Sequence, residues 1–119
     1  VGWDNTGHMD ADTVGELMAA HDNLYPSLKM LTSVGPCQVL ANRPIDPATG
    51  ELRDEWLALI ETYPDRFVLG GDEFFGEPGG SVNGSASLGG TWEVIEQLSD
   101  TLAEKIACSN PIRMWDLAL

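Results

Sequence analysis

The spacing of apolar and polar residues near the start of the chain predicts an amphipathic helix. The positions on its predicted inner face recur at i, i+3, i+4 and i+7, and they are Val14, Leu17, Met18 and His21. Thr13, followed three residues later by Glu16, has the spacing of a capping box and predicts the start of the helix. The polar residues that follow predict an end near Asp22, which gives His21 a structural place at the helix end.

A second amphipathic helix is predicted from about Glu51 to Tyr63. Its apolar face is formed by Leu52, Trp56, Leu59, Ile60 and Tyr63. Pro64 and Asp65 end this helix, and the run "RFVLGG" that follows predicts a buried strand. The stretch from Thr32 to Gly50, which contains three prolines, is predicted to be loop-like.

The last third of the chain predicts further helix. A helical region begins near Thr91, restarts after Ser99, and is followed by a last short apolar piece, "PIRMWDLAL". The glycine-rich stretch before it, "GEPGGSVNGSASLGG", contains neither a GxGxxG nor a Walker pattern, so phosphate binding is not indicated.

A repeated order of elements predicts the fold class. The stretches "AAHDNLYPSLKM" and "ETYPDRFVLGGD" share a helix end, an aromatic-containing strand and polar residues at the strand exit. A helix leading to a strand, repeated after about forty residues, is typical of an α/β fold with parallel strands. Pro26 cannot donate a ladder hydrogen bond, so the strand around it is expected to be irregular. Three such units leave two unpaired sheet edges, and we therefore expect this chain to be a piece of a longer one.

The net charge of −13, from 19 acidic and six basic residues, excludes several classes of partner. Without a basic patch, binding to nucleic acid or to an anionic membrane surface is not expected. The acidity indicates solubility, with a cation-binding surface as the alternative. Cys37 and Cys108 have no metal-ligand or disulfide spacing and are expected to be buried thiols. No apolar run reaches the ~18 residues of a membrane helix, and the compartment, cytoplasmic or exported, is left open.

Candidate chemistry is expected where parallel strands end, because ligands bind at that edge in α/β folds. Asp72 and Glu73 follow the strand "RFVLGG" directly, after two glycines that let other groups approach the backbone closely. A carboxylate there can bind a divalent cation, and next to a metal-bound water it can act as a base. The alternative for Asp72 is a helix cap or a hydrogen-bond acceptor within a loop.

Other strand exits offer weaker candidates. Lys29 could orient an anionic substrate or pair with Asp4. Trp3 could form a pocket wall or pack in the core, and His8 could bind a metal or simply be solvated. No second histidine stands near His8, and no Ser–His–acid set is visible, so these residues form at most one corner of an active site.

Four stretches together resemble a known family. The sequence "WLALIETYPDRFVLGGDEF" resembles the last barrel strand of the amidohydrolase superfamily, in its amidohydrolase-related branch of lactonase-like hydrolases and decarboxylases. "LAEKIACSNPIRMW" resembles the closing helix of that branch, "HDNLYPSLKM" its seventh strand, and "GWDNTG" the segment just after its sixth. This resemblance implies the C-terminal three βα units of a (β/α)₈ TIM barrel, incomplete as given.

The resemblance also implies a metal site. The family holds a divalent metal ion, with zinc the expected one, through histidines on earlier strands and an aspartate on the eighth, which corresponds to Asp72. A sixth-strand histidine is absent here: in one register Asn5 takes its place, and in the other that histidine precedes Val1. Glu73 departs from a commoner small residue, which implies an altered substrate preference.

The function implied is a metal-dependent hydrolase that acts on a small molecule with a carbonyl-type group, and the complete protein could be a homo-oligomer. Asp72 would bind the metal and act in catalysis, while Trp3, Asn5, Lys29 and Glu73 would contact the substrate. The alternative within the family is a non-oxidative decarboxylase. The alternative of another class is an inactive truncated chain or an acidic interaction domain. By itself the 119-residue chain is expected to have little or no activity, because most of the metal ligands would be missing.

Overall fold

The computed structural model describes residues 9–28, 43–70 and 89–118; helices and strands alternate through the first two ranges, and the elements of the last range are helical. The elements are α1 (Ala11–Ala20), β1 (Ser27–Leu28), α2 (Asp54–Thr62), β2 (Val68–Leu69), α3 (Gly89–Ile95), α4 (Asp100–Glu104), a π-helical turn (Lys105–Ser109) and α5 (Asn110–Trp115). The described part is therefore rich in helix around a small parallel sheet, which confirms the predicted α/β class.

Within the part of the chain that the structure describes, the sheet has two parallel strands, β1 and β2. Ser27 of β1 lies opposite Val68 of β2, and Leu28 lies opposite Leu69. Parallel neighbours require a crossover connection, and α2 lies within it. Pro26 has no N–H to donate, but its carbonyl oxygen accepts from the Val68 N–H at 3.1 Å. β1 begins only after Pro26, in agreement with the prediction that the strand around this residue is irregular.

The predicted capping box at the start of α1 is wrong. The N-cap is Asp10, whose Oδ1 accepts from the Thr13 N–H at 2.8 Å, so the helix begins at Ala11. With Asp10 as the cap, Thr13 occupies the third helical position, where its own N–H needs an acceptor. The short Asp10 side chain satisfies that N–H and adds most of a turn to the helix. His21 forms the other end of α1, as predicted.

The predicted inner faces of α1 and α2 are confirmed at their centres, whereas His21 is exposed and α2 begins at Asp54, after Leu52. Val14 and Met18 are buried on α1, and Trp56, Leu59 and Ile60 are buried on α2. Gly15 allows the two helices to approach closely, because a Cβ atom at this position would lie 3.2 Å from Leu59 Cδ1. A glycine in mid-helix costs about 1 kcal/mol relative to alanine, and here the close packing of the two helices is its physical reason.

One apolar core joins the helices to the sheet. Its buried members come from every part of the described chain: Ala11, Val14, Met18, Leu28, Ile45, Trp56, Leu59, Ile60, Phe67, Val94, Ile95, Leu98 and Ile106. Phe67, Met18, Ile60, Ile106 and Val94 are the largest apolar side chains that are fully buried. The helices that cover the sheet thus come from segments far apart in the sequence. Parallel sheets need such helices to bury their faces.

The end of the chain forms one continuous helical run, residues 100–115, which we call the closing helix. Ser99 caps it, as predicted, through a hydrogen bond of 3.4 Å from the Leu102 N–H to its Oγ. The closing segment that reads as a separate apolar piece in the sequence instead continues this helix. Pro111 has no N–H for a regular turn, and the chain widens just before it into the π-helical turn, where the Asn110 N–H donates to the Lys105 carbonyl.

The expectation of a buried thiol is wrong for Cys108, which is exposed. Ile106 and Asn110, four residues apart, share the buried face of the closing helix. Cys108 stands midway between them and therefore points away from the core. Cys37 lies outside the described residues.

The helices within the described ranges are short, the longest uninterrupted α-helix being the ten-residue α1. Among them, no helix has the length and apolar character needed to cross a membrane.

Candidate functional site

The carboxyl ends of β1 and β2 lie side by side and form what we call the carboxyl edge, residues 27–28 and 69–70. The in-register pairing of Leu28 with Leu69 is continued by a 2.6 Å hydrogen bond from the Gly70 N–H to the Leu28 carbonyl. The chain therefore leaves both strands at the same level of the sheet. This is the edge at which α/β folds bind their ligands.

Gly70 lets β1 and β2 pair closely at this edge. A Cβ atom at Gly70 would lie 2.0 Å from Ser27 Oγ and 3.2 Å from the Leu28 carbonyl oxygen. The Gly70 carbonyl in turn accepts from the buried Thr91 hydroxyl at 3.4 Å, so the start of α3 reaches the end of β2. The first glycine of "GGDE" is thus required by close packing against β1.

We expect Gly70→Ala to lower the free energy of unfolding by about 1–3 kcal/mol, because the added methyl group overlaps Ser27 Oγ. Adding Ser27→Ala removes that oxygen and leaves only the 3.2 Å and 3.3 Å contacts with the Leu28 carbonyl and Ser27 Cβ. The double variant should therefore recover most of the loss in urea denaturation. Ser27→Ala alone serves as the control, and additive losses in the double variant would contradict the packing argument.

The five residues predicted to form the site lie outside the described ranges. Trp3 and Asn5 precede the first described residue, Lys29 directly follows Leu28 in the sequence, and Asp72 and Glu73 follow Gly70 by two and three positions. Their roles stay predictions. The structure shows that the ends of β1 and β2 are neighbours. In the sequence, Lys29 follows the first of these ends and Asp72 follows the second.

Among the histidine, cysteine, aspartate and glutamate side chains of residues 9–28, 43–70 and 89–118, no group of three or more is arranged to hold a metal ion. Asp72 lies outside these ranges, and its role as a metal ligand stays a prediction.

Sequence reasoning missed a set of contacts that holds the entry to β2. We call residues 63–67, "YPDRF", the junction segment. Asn110 of the closing helix is 1% exposed, and its Nδ2 donates to the carbonyl oxygens of Pro64 at 2.9 Å and Phe67 at 2.8 Å. Both amide hydrogens are thus used within the protein interior. The resemblance of the junction segment and the closing helix to one family was the only signal of this contact.

Arg66 ties the junction segment to the end of α1. Its guanidinium donates to the carbonyl oxygens of Met18 at 2.8 Å, of His21 at 2.5 Å, and of Leu24 at 2.7 and 3.0 Å. It also lies over the ring of Tyr63, with 5.2 Å from Cζ to the ring centroid. The last carbonyl groups of a helix have no hydrogen-bond donor within the helix. Arg66, 42–48 residues further along the chain, donates to carbonyls at the end of α1 and just after it.

Asp65 provides an ionic contact between the junction segment and the closing helix. Its Oδ1 accepts from Lys105 Nζ at 2.7 Å, and its backbone carbonyl accepts from the Arg113 guanidinium. The hydrogen bond from Lys105, together with the positive charges of Lys105 and Arg113, lowers the pKa of the Asp65 carboxyl. Since Asp65 is exposed, solvent screens this pair, and its role is to orient the two elements more than to stabilise them.

The junction segment, which leads into β2 and the carboxyl edge, is therefore held by hydrogen bonds to two distant parts of the chain. The support comes from α1 through Arg66 and from the closing helix through Asn110, and both act on the segment that leads into β2. Comparisons of the chain with protein-family models, with curated proteins and with solved structures gave no significant match. The resemblance to the amidohydrolase-related branch thus stays a prediction.

Proposed function

We propose that this chain is the C-terminal part of a metal-dependent hydrolase of the amidohydrolase superfamily, built on a (β/α)₈ barrel. The observation that carries the proposal is the parallel, in-register pairing of β1 with β2, which are joined by a crossover that contains helix α2. A TIM barrel pairs each strand with the next in this way. The strand β2 corresponds to the eighth strand in the family pattern, and "GDE" follows it in the sequence.

The contact between the two most specific motifs of the resemblance supports the same proposal. "YPDRF" and "AEKIACSNPIRMW" stand some forty residues apart in the chain, and the buried Asn110 joins them through the carbonyls of Pro64 and Phe67. Motifs that had matched a family pattern independently and by chance would have no reason to meet through a fully buried side chain.

In the proposed reaction the metal, when bound, supplies a water activated for attack on a carbonyl-type carbon. Asp72 would bind the metal and accept the proton that the attacking water loses. The substrate would be contacted by Trp3, Asn5, Lys29 and Glu73. The carboxyl edge contributes rigidity, because a displaced ligand costs much of the rate.

The proposal is tested on the complete gene product, whose upstream sequence should contain an HxH roughly 200 residues before Asp72, a distance set by the usual ~250-residue barrel. We expect the purified protein to contain a stoichiometric divalent ion, with zinc the first choice. Asp72→Asn should lower the hydrolysis of lactone or ester probes by about 10²–10⁴-fold, the usual contribution of a positioned base. Its matched control is Asp22→Asn, the same change at an exposed residue after α1.

The outcomes separate the alternatives. Release of carbon dioxide from an aromatic or unsaturated acid, with the same loss in Asp72→Asn, would indicate the non-oxidative decarboxylase. A protein with neither metal nor an upstream HxH would overturn catalysis, and it would leave an acidic interaction domain whose partner is cationic. Tight stoichiometric zinc binding by residues 1–119 alone would contradict the idea that most ligands lie upstream.

A further inference from the structure

The peptide group between Phe67 and Val68 links the closing helix to the sheet. Its carbonyl oxygen accepts from Asn110 Nδ2 at 2.8 Å, and its N–H donates to the Pro26 carbonyl at 3.1 Å, at the start of β1. One planar unit is thus held from both ends by parts of the chain far apart in sequence. Hydrogen bonds in such a series polarise and strengthen one another in a buried setting.

Asn110 is suited to this position by its chemistry. A carboxamide offers two N–H donors, and here they serve two carbonyls of the junction segment, those of Pro64 and Phe67. Its Oδ1 lies 3.5 Å from an Arg113 guanidinium nitrogen, which orients the amide so that Nδ2 faces the junction segment. Leucine has a similar volume but no donor, and aspartate has a similar shape but presents only acceptors when ionised.

The helix geometry around Asn110 is also unusual. In the π-helical turn over Lys105–Ser109 the bonded groups are five positions apart, and the turn ends where Asn110 turns into the core beside Pro111. π-Helical turns are rare overall, but those that occur are frequently found at functional sites. The inner face of the closing helix thus carries Ile106, which is apolar, and then Asn110, which is polar and fully bonded.

We propose that Asn110 is a positioning residue through which the closing helix determines the alignment of β2 on β1, and with it the carboxyl edge. When Asn110 holds the Phe67–Val68 peptide, the Val68 N–H meets Pro26 and the Gly70 N–H meets Leu28. A closing helix that moves away takes this restraint with it and loosens the edge locally. The inference concerns described residues alone, so it stands or falls independently of a metal site.

The test is residue-resolved hydrogen exchange by NMR on the full chain. In Asn110→Leu, the Val68 and Gly70 amides should exchange at least about tenfold faster relative to wild type, while amides in the middle of α1 and α2 change much less. Ser109→Ala is the matched control, since it lies next to Asn110 and removes only an exposed bond to Glu104. Equal acceleration of all amides would mean that Asn110 adds to global stability only, and it would overturn the proposal.

A second measurement needs no variant, and it tests the Asn110 hydrogen bonds on which the proposal rests even where Asn110→Leu does not fold. In the wild-type chain the two side-chain amide protons of Asn110 should be protected from exchange far beyond those of the exposed Asn23. Couplings across the hydrogen bonds should connect its Nδ2 to the carbonyl carbons of Pro64 and Phe67. Exchange of the Asn110 side-chain protons at the rate of Asn23 would overturn the assignment.

Discussion

Replacing Arg66 by methionine is expected to lower the free energy of unfolding by roughly 2–4 kcal/mol, measured by urea denaturation. Methionine keeps most of the aliphatic length but removes the guanidinium donor of the Met18, His21 and Leu24 carbonyls, of which His21 keeps the Leu24 N–H at 3.1 Å. Part of this network is exposed, so water replaces some of the lost bonds, and the expected loss is smaller than the sum of four charged hydrogen bonds.

Arg66→Lys discriminates between charge and geometry. Lysine keeps the positive charge, but its single ammonium cannot reach three carbonyls that a planar guanidinium spans. We therefore expect the lysine variant to recover less than half of the loss. A lysine variant as stable as the wild type would show that charge alone is needed.

The matched control for Arg66 is Arg53→Met. Arg53 pairs with Asp46 at 3.8 Å and with Glu55 at 3.9 Å, both long contacts near the surface. Such pairs contribute at most about 1 kcal/mol, so the same substitution there should have a much smaller effect. Similar losses at both positions would mean that the carbonyl network of Arg66 has no special weight.

Phe67→Ala is expected to cost about 3–5 kcal/mol, because Phe67 is the largest fully buried side chain and its truncation leaves a cavity. The cavity would open next to β2, in a core shared by α1, α2 and the closing helix. Phe67→Leu fills most of the volume and should cost less than half as much. Both values are obtained from denaturant unfolding with unchanged m-values.

Trp115→Ala is the control for the loss of a large aromatic side chain. Trp115 is 58% exposed at the end of α5, so its removal should change the free energy of unfolding by no more than about 0.5 kcal/mol. A loss in Trp115→Ala as large as that in Phe67→Ala would contradict this expectation and would mean that another part of the protein or a partner covers Trp115.

The candidate site illustrates what a resemblance adds and where it stops. A strand that ends in two glycines and two carboxylates indicates where chemistry is expected, and the structure confirms the strand and its parallel neighbour. The first glycine proves to be required by its contact with Ser27. The roles of Trp3, Asn5, Lys29, Asp72 and Glu73 rest on the sequence and the resemblance, since these residues lie outside the described ranges.

Local patterns of apolar and polar residues were sufficient to predict several of the helices and strands. The buried faces of α1 and α2, the strand after Pro64 and the restart of helix after Ser99 all follow from spacing within a few residues, and all are confirmed. Such patterns are readable because the period of each element is encoded in consecutive positions.

The polar groups that hold these elements together could not be predicted from such local patterns. The carbonyl partners of Arg66 and Asn110 lie 42–48 residues away, and a backbone carbonyl carries no mark in the sequence that identifies its donor. Competition between nearby donors and acceptors determines the N-cap of α1 and the continuation of the closing helix through Pro111. A rule based on residue spacing does not compare these competing hydrogen bonds. Local periodicity therefore predicted where the helices and strands lie, whereas the hydrogen bonds that align them arise only when distant segments meet.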